Sequence, residues 1–374
     1  MTRGSGGRER LDSGRVCSFY GVMKNPVRAN FIWIRNISTG AVVMLAALRM
    51  QAWDYAAHRA INELALAALP TNFPAFVQTP AARDRIGFLA GEPDRWRNSP
   101  EMALSHASGP DHYFDWEQMA DYGLTAATVA PFRYDFAVQL GLARAAHPEK
   151  FEPIDPAKNK DQTRELIGFL PWRMTEDYAR LKSGFSYLKT FQQHGGTKEE
   201  IANAEANIIY VMGVMGHFVG DGSQPLHATK HHHGWVGANP DNYPTHSRFH
   251  AWIDGGYIQK SGALNVAELT KKLKSAKPVG NPAAADGFFR AMVAYVEAAN
   301  RQVEPIYKLE RDRKLSPRDG VVDAEGREFI EGLILAGAEM LAGIWLSAWQ
   351  DAPEDKFLRT ELEKRLKVGD GGIK

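Results

Sequence analysis

The stretch HFVGDGSQPLH, residues 217–227, places His217, Asp221 and His227 within eleven residues. Imidazole nitrogen and carboxylate oxygen together form a donor set suited to zinc. Residues four apart share one helix face, so His217 and Asp221 can aim two donors at one point. His250 and Asp254, in HSRFHAWID, repeat that spacing. A single such pair usually reads as a surface ion pair or a hydrogen-bonded core histidine. Two pairs on helices expected to be buried, with His227 following a stiff Gln-Pro-Leu link, point instead to a bound cation. Burying that many ionisable groups without one is costly. His246 also stands four before His250, which leaves a second pairing open; His250 with Asp254 gives the better charge balance. The run His231–His233 reads as a solvated loop.

Helices are needed to position these groups, and the sequence supplies them. Apolar residues recur at three and four in DYAAHRAINELALAALP, which carries His58 and stops at Pro70. DYARLKSGFSYLKTF, residues 177–191, behaves similarly. Thr197 and Glu200 have capping-box spacing at the start of KEEIANAEANIIYVMGVMGHFVGD. The stripe Ile201, Ala204, Ile208, Met212, Met215 and Val219 marks one face of that helix; His217 and Asp221 share another with Tyr210 and Val214. Apolar residues on both sides predict a helix buried in a bundle. GREFIEGLILAGAEMLAGIWLSAWQDA reads as the final helix and KVGDGGIK as a fraying tail, with loops at 151–160 and 234–246. Alternating strand patterns are scarce, so the expectation is one all-α, multi-helix bundle domain over 53–374.

Residues 1–52 read as a leader. Arg28 and Arg35 precede an apolar stretch, 37–48, and Ala52 offers a cleavage point before Trp53. Met23 is an alternative start, which would leave residues 1–22 outside the translated chain. Arg49 and Met50 are poor residues near a cleavage point, and the apolar stretch is too short to span a bilayer. The leader implies a secreted or periplasmic protein. It is also basic: without it, the chain's net charge of +1 becomes −5. A mildly acidic body argues against holding long duplex DNA by charge alone. Cys17 is the sole cysteine, so an intramolecular disulfide is excluded.

AWDYAAH, PDRWR, DHYFD, HFVGDGSQPLH and HAWID follow one another from residue 53 to residue 254. In this order they resemble the ligand motifs of the trinuclear-zinc superfamily, and AGAEMLAGIWLSAW resembles its closing helix. That superfamily joins bacterial phospholipases C with single-strand-specific nucleases of the S-one/P-one type. The resemblance implies a buried cluster of three zinc ions. Asp94, His112, His217 and Asp221 would hold one; His227, His250 and Asp254 the second; His58, Asp221 as a bridge and the main-chain nitrogen and oxygen of Trp53 the third. The last ion requires Trp53 to be the mature N-terminus, because a free amino group is a metal donor and an amide nitrogen is not. Arg97 matches the position that contacts phosphate, Asp115 the carboxylate that orients the attacking water, and Tyr113 an aromatic on which a base stacks. Relative to the compact nucleases, a helical insertion is expected at about 116–200.

The chain is therefore expected to be a zinc-dependent phosphodiester hydrolase. The preferred reading is an endonuclease acting on single-stranded RNA or DNA, or on nucleotides. It draws on the step from Trp53 to His58, on aspartate at 254 and on the HYFD arrangement. The alternative is a phospholipase C acting on phospholipid headgroups, favoured by the missing disulfides, the insertion and surface aromatics such as Trp172 and Trp235. A non-catalytic metal-binding protein is the third reading, against which Arg97 and Asp115 count. No protein partner is required by any of these.

Overall fold

Asp54 opens the first helix: its side chain accepts a hydrogen bond from the Ala57 amide at 3.1 Å, satisfying a donor that the first turn leaves free. This helix, α1 (Tyr55–Ala68), ends ahead of Pro70. The computed structural model describes residues 53–316 and 321–370. The leader expected over 1–52, its cleavage after Ala52 and the Met23 start lie outside the described residues.

After α1 come α2 (Pro80–Leu89), α3 (Glu92–Arg97), α4 (Met102–Ser108) and α5 (Arg133–Ala146). The two longest of the middle helices follow, α6 (Leu170–Gln193) and α7 (Lys198–Asp221). Short helices α8 (Arg248–Ala251) and α9 (Ile258–Ser261) flank a π-helical turn, Trp252–Tyr257. The chain ends with α10 (Val266–Lys272), α11 (Gly287–Asn300), α12 (Val303–Arg311), α13 (Ala324–Gln350) and α14 (Lys356–Asp370). Among the described residues there is no strand, and Phe114 and Gly168 form an isolated bridge. The fold is all-α, as expected.

The capping box at Thr197 is formed in both directions, with Thr197 Oγ1 accepting from Glu200 N at 3.1 Å and Glu200 Oε2 accepting from Thr197 N at 2.7 Å. From this fixed start α7 runs into the core, packing on α6, α2, α13 and α1. Its stripe Ala204, Ile208, Met212, Met215 and Val219 is buried, and from Met212 to Asp221 every residue is. Tyr210, placed with the buried groups by periodicity, is exposed. The outer half of α7 is one-sided, and only its inner half is surrounded.

Three further differences have local causes. α13 is not the last helix, because α14 follows it and takes in Lys367–Asp370, part of the segment read as tail. Leu366, on α14, packs against Gly195 at the end of α6. Trp172, expected at the surface, is buried: α6 begins at Leu170, before the periodic stretch, and the indole stacks on Phe136 of α5 with centroids 4.0 Å apart. Trp235 is half-buried against His231. Within the span 116–200, α6 packs along α7 and α13, while residues 157–166 contribute to the wall of a cavity.

Close approach of α1 to α7 depends on glycine. A Cβ on Gly216 would lie 1.7 Å from Asn62 Oδ1, while Asn62 Nδ2 donates to Ile86 O at 2.9 Å and Gly213 O at 3.1 Å. Alanine normally favours a helix interior over glycine by about 1 kcal/mol. Here the clash reverses the sign, and Gly216→Ala is expected to destabilise the fold by roughly 1–3 kcal/mol. Denaturant unfolding of metal-free protein checks this. A variant as stable as its parent would mean that the α1–α7 spacing adjusts freely.

Candidate metal centre

Eight side chains converge into three groups, each with its donor atoms within 4.8 Å of one another: His58, His217 and Asp221; Asp94, His112 and His217; His227, His250 and Asp254. All eight residues are buried. Different elements deliver them. His58 comes from α1, Asp94 from α3, His217 and Asp221 from the last turns of α7. His112 and His227 end short 3-10 turns, and α8 with the π turn carries His250 and Asp254. The wider π turn keeps that last pair together, with His250 Nε2 3.1 Å from Asp254 Oδ2.

Asp221 is the point where the groups meet. Its Oδ2 lies 3.0 Å from His112 Nδ1 and 3.4 Å from His217 Nε2. Its Oδ1 lies 3.4 Å from His58 Nε2 and 3.8 Å from His227 Nδ1. His217 Nε2 is 3.9 Å from Asp94 Oδ1. Hence the set expected for the first ion, Asp94, His112, His217 and Asp221, is assembled, and so is the set His227, His250 and Asp254. His217 also approaches the third set, its ring stacked on His58 at 3.9 Å.

The imidazoles are held in orientations that suit ligation. His217 Nδ1 donates to Ala90 O at 2.8 Å, which leaves its Nε2 facing His112 and Asp221, and His227 Nδ1 donates to His112 O at 2.6 Å, which leaves its Nε2 as the nitrogen without a proton. Gln224 Nε2 donates to Asp254 Oδ1 at 2.6 Å, leaving Oδ2 with no hydrogen-bond partner. His58 Nε2, His112 Nε2, Asp221 Oδ1, His227 Nε2 and His250 Nε2 are likewise buried without one. Polar atoms orphaned in the core are rare and demand an explanation, and a cation fits this donor set.

Charge tells the same story. Burial pulls His58 and His227 down to about 4 and His250 to about 3. Burial also drives His112 and His217 well below the usual histidine range. These imidazoles are neutral, the state that binds metal. Burial pushes Asp254 up to about 7, raises Asp94 and lifts Asp221 far above an ordinary carboxylate. A cation reverses the carboxylate direction by favouring the charged form.

Trp53 is fully buried, and its indole N–H donates to Gly220 O at 3.1 Å, beside Asp221. Its neighbour Asp54 donates its amide to Asp254 O at 3.0 Å. Residue 53 is thus held against both carboxylate-bearing segments. Arg97 Nη2 pairs with Asp94 Oδ1 at 2.8 Å. Arg97, Tyr113 and Asp115 all line a cavity of about 680 Å³, together with His112, His227 and His250. Asp115 is buried with Oδ1 lacking a hydrogen-bond partner, and burial raises the half-buried Tyr113 hydroxyl above its usual range. His246 is exposed, so His250 is the histidine that pairs with Asp254.

The His231–His233 run is not a solvated loop throughout. His231 is buried, stacked on Trp235 at 4.1 Å, and accepts from Val236 N at 3.0 Å. His232 and His233 line the cavity, with His232 Nδ1 3.7 Å from Asp115 Oδ1. Only the turn after His227 brings them there, and no spacing in the run signals it. Gln224 was also overlooked, although it lies inside the HFVGDGSQPLH stretch.

No family model matches the chain and no curated protein matches it, so the centre stands on its own donors. A site filled at about a thousand times its Kd adds about 4 kcal/mol to stability. Chelation should therefore lower the melting temperature sharply, with recovery on adding zinc back. Elemental analysis is expected to find close to three ions. Asp221→Ala should lose more metal than Asp254→Ala, because Asp221 touches every group, while His246→Ala should lose none. Full stability and no bound metal in the parent protein would remove the centre.

Proposed function

We propose that the chain is a zinc-dependent phosphodiester hydrolase, and that it cleaves single-stranded RNA or DNA as an endonuclease. The observation that carries this reading is the opening of the His/Asp groups onto a cavity whose lining includes the guanidinium of Arg97, paired with Asp94, and the carboxylate of Asp115. The resemblance to the trinuclear-zinc superfamily supports it, since each side chain that resemblance assigns to metal belongs to one of the three groups.

Zinc bound there supplies Lewis acidity, making a nucleophile of water near neutral pH and offsetting charge on phosphate oxygens. The chain's residues do the rest. The Asp115 carboxylate, which lines the cavity, accepts a hydrogen bond from the attacking water and orients it. Arg97 binds the phosphate and offsets the charge that develops on it. Tyr113 offers a ring face to a base. Buried walls around the donors keep bulk water from screening these contacts.

A second reading, phospholipase C, draws on the outward face of α5. Tyr134, Val138 and Leu142 follow at four-residue spacing and are 83%, 59% and 67% exposed, with Phe132 beside them at 71%. Such an apolar stripe suits a lipid surface.

Single-stranded DNA, RNA and a phosphatidylcholine emulsion, assayed side by side, decide between the readings; cleavage of lipid alone would hand the function to the second. Asp115→Asn should keep its metal yet lower kcat on the order of 100-fold or more. Arg97→Ala should behave alike, since it removes a competitor for Asp94 and leaves the donors in place. Metal loss in Asp115→Asn would show that the residue is structural. Tyr113→Ala should cost nucleic-acid turnover about 1–3 kcal/mol and spare a bis(p-nitrophenyl) phosphate ester. Equal losses on both would remove the base-stacking role.

A further inference from the structure

One wall of the cavity is explained neither by the donors nor by Arg97 and Asp115. Lys158, Lys160 and Arg164 line it. Arg164 lies close enough to Tyr113, His232 and His233 for its charge to bear on their protonation. The wall is built, not draped. Arg164 N donates to Asn159 Oδ1 at 3.1 Å and Arg164 Nε to Lys158 O at 3.3 Å. His106 Nδ1 holds Asp161 O at 2.7 Å, and Thr163 is buried.

The wall is also tied directly to the donor-bearing segment. Asp115 N donates to Ile167 O at 2.8 Å, Phe169 N to Pro110 O at 2.7 Å and Leu170 N to Tyr113 O at 3.2 Å. Gly168 permits this contact: its φ is +99°, and a Cβ there would lie 2.0 Å from Tyr113 O. The segment that carries the three cations is thereby anchored to the backbone of Tyr113 and Asp115, while the side chains of Lys158, Lys160 and Arg164 are exposed on the cavity wall and Lys158 lies 3.7 Å from Asp155.

We propose that Lys158, Lys160 and Arg164 form a second phosphate subsite, which holds a phosphate neighbouring the scissile one in a polyanionic strand. The subsite rests on the nuclease reading and narrows it to substrates carrying at least one further phosphate. A quaternary ammonium headgroup calls for aromatic faces around it. Among the described residues lining this cavity, Tyr113 is the one Tyr, Phe or Trp. Four Lys and Arg side chains against the carboxylates of Asp115 and Asp161 favour an anion. The chain's acidic body makes the subsite selective: phosphate is attracted here and not over the surface at large.

The test uses the full mature protein with its metal, and two probes: a ten-thymidine oligonucleotide and bis(p-nitrophenyl) phosphate, which carries no second phosphate. Lys158→Ala/Lys160→Ala/Arg164→Ala should lose about tenfold or more in kcat/KM on the oligonucleotide and less than about twofold on the ester, and its logarithmic salt dependence should flatten by about 2. Lys158→Gln/Lys160→Gln, which changes exposed side chains only, should give a smaller loss of the same kind. Equal losses on both probes, or an undiminished oligonucleotide rate, would overturn the subsite. Parent protein that hydrolyses the ester but not the oligonucleotide would sink the nuclease reading alone. Fluorescence anisotropy then judges the subsite: oligonucleotide binding that the triple variant weakens supports it, and no binding overturns it. Hydrolysis of phosphatidylcholine vesicles at equal rates by parent and variant also overturns it.

Discussion

Burying five imidazoles and three carboxylates in one helix bundle is the constraint around which this fold is arranged. An ion taken from water into a protein interior costs several kcal/mol even after relaxation. The protein limits that cost in two ways. It keeps the imidazoles neutral, as the depressed pKa values of His58, His227 and His250 show. It then gathers the carboxylates where one cation can serve more than one of them. Asp221 lies within 3.8 Å of four different histidines, so a cation at this point satisfies several groups together.

Packing must respect that centre. α7 carries His217 and Asp221 inward on a helix whose inner turns are enclosed on all sides. Its small residues admit α1 closely: a Cβ on Gly220 would lie 2.7 Å from His58 Nδ1. Backbone carbonyls of Ala90 and His112 then choose which nitrogen of His217 and His227 carries the proton and which is left to act as a donor to metal. The donors are therefore pre-aimed by hydrogen bonds outside the centre, as metal sites require.

How much of this was legible follows from how local each signal is. The capping box at Thr197 and the four-residue spacings are written within single helical turns, and each could be read directly. The donors on different elements were identified through resemblance, since nothing in the spacing from His58 to Asp94 or His112 says that they meet. What escaped depends on tertiary path. Trp172 is buried because α6 starts early enough to meet α5, and His232 reaches Asp115 because the chain turns back after His227. α14 was missed because its residues are mostly polar or charged, so few apolar positions mark a packed face.

The cavity wall and the His/Asp groups are not separate parts. His227 supplies a donor nitrogen, and its carbonyl accepts the amide of Phe114 at 2.8 Å while its Nδ1 holds His112 O at 2.6 Å. Phe114 in turn bridges to Gly168, and Asp115 holds Ile167. One continuous path of main-chain hydrogen bonds thus runs from a metal donor through the segment carrying Tyr113 and Asp115 to the basic wall. Such bonds transmit position because each fixes backbone and leaves little rotamer freedom to absorb a shift. A cation that settles His227 therefore also bears on the backbone of Tyr113 and Asp115 and on the segment 167–170 bonded to it, so the donors and the cavity wall are held by the same contacts.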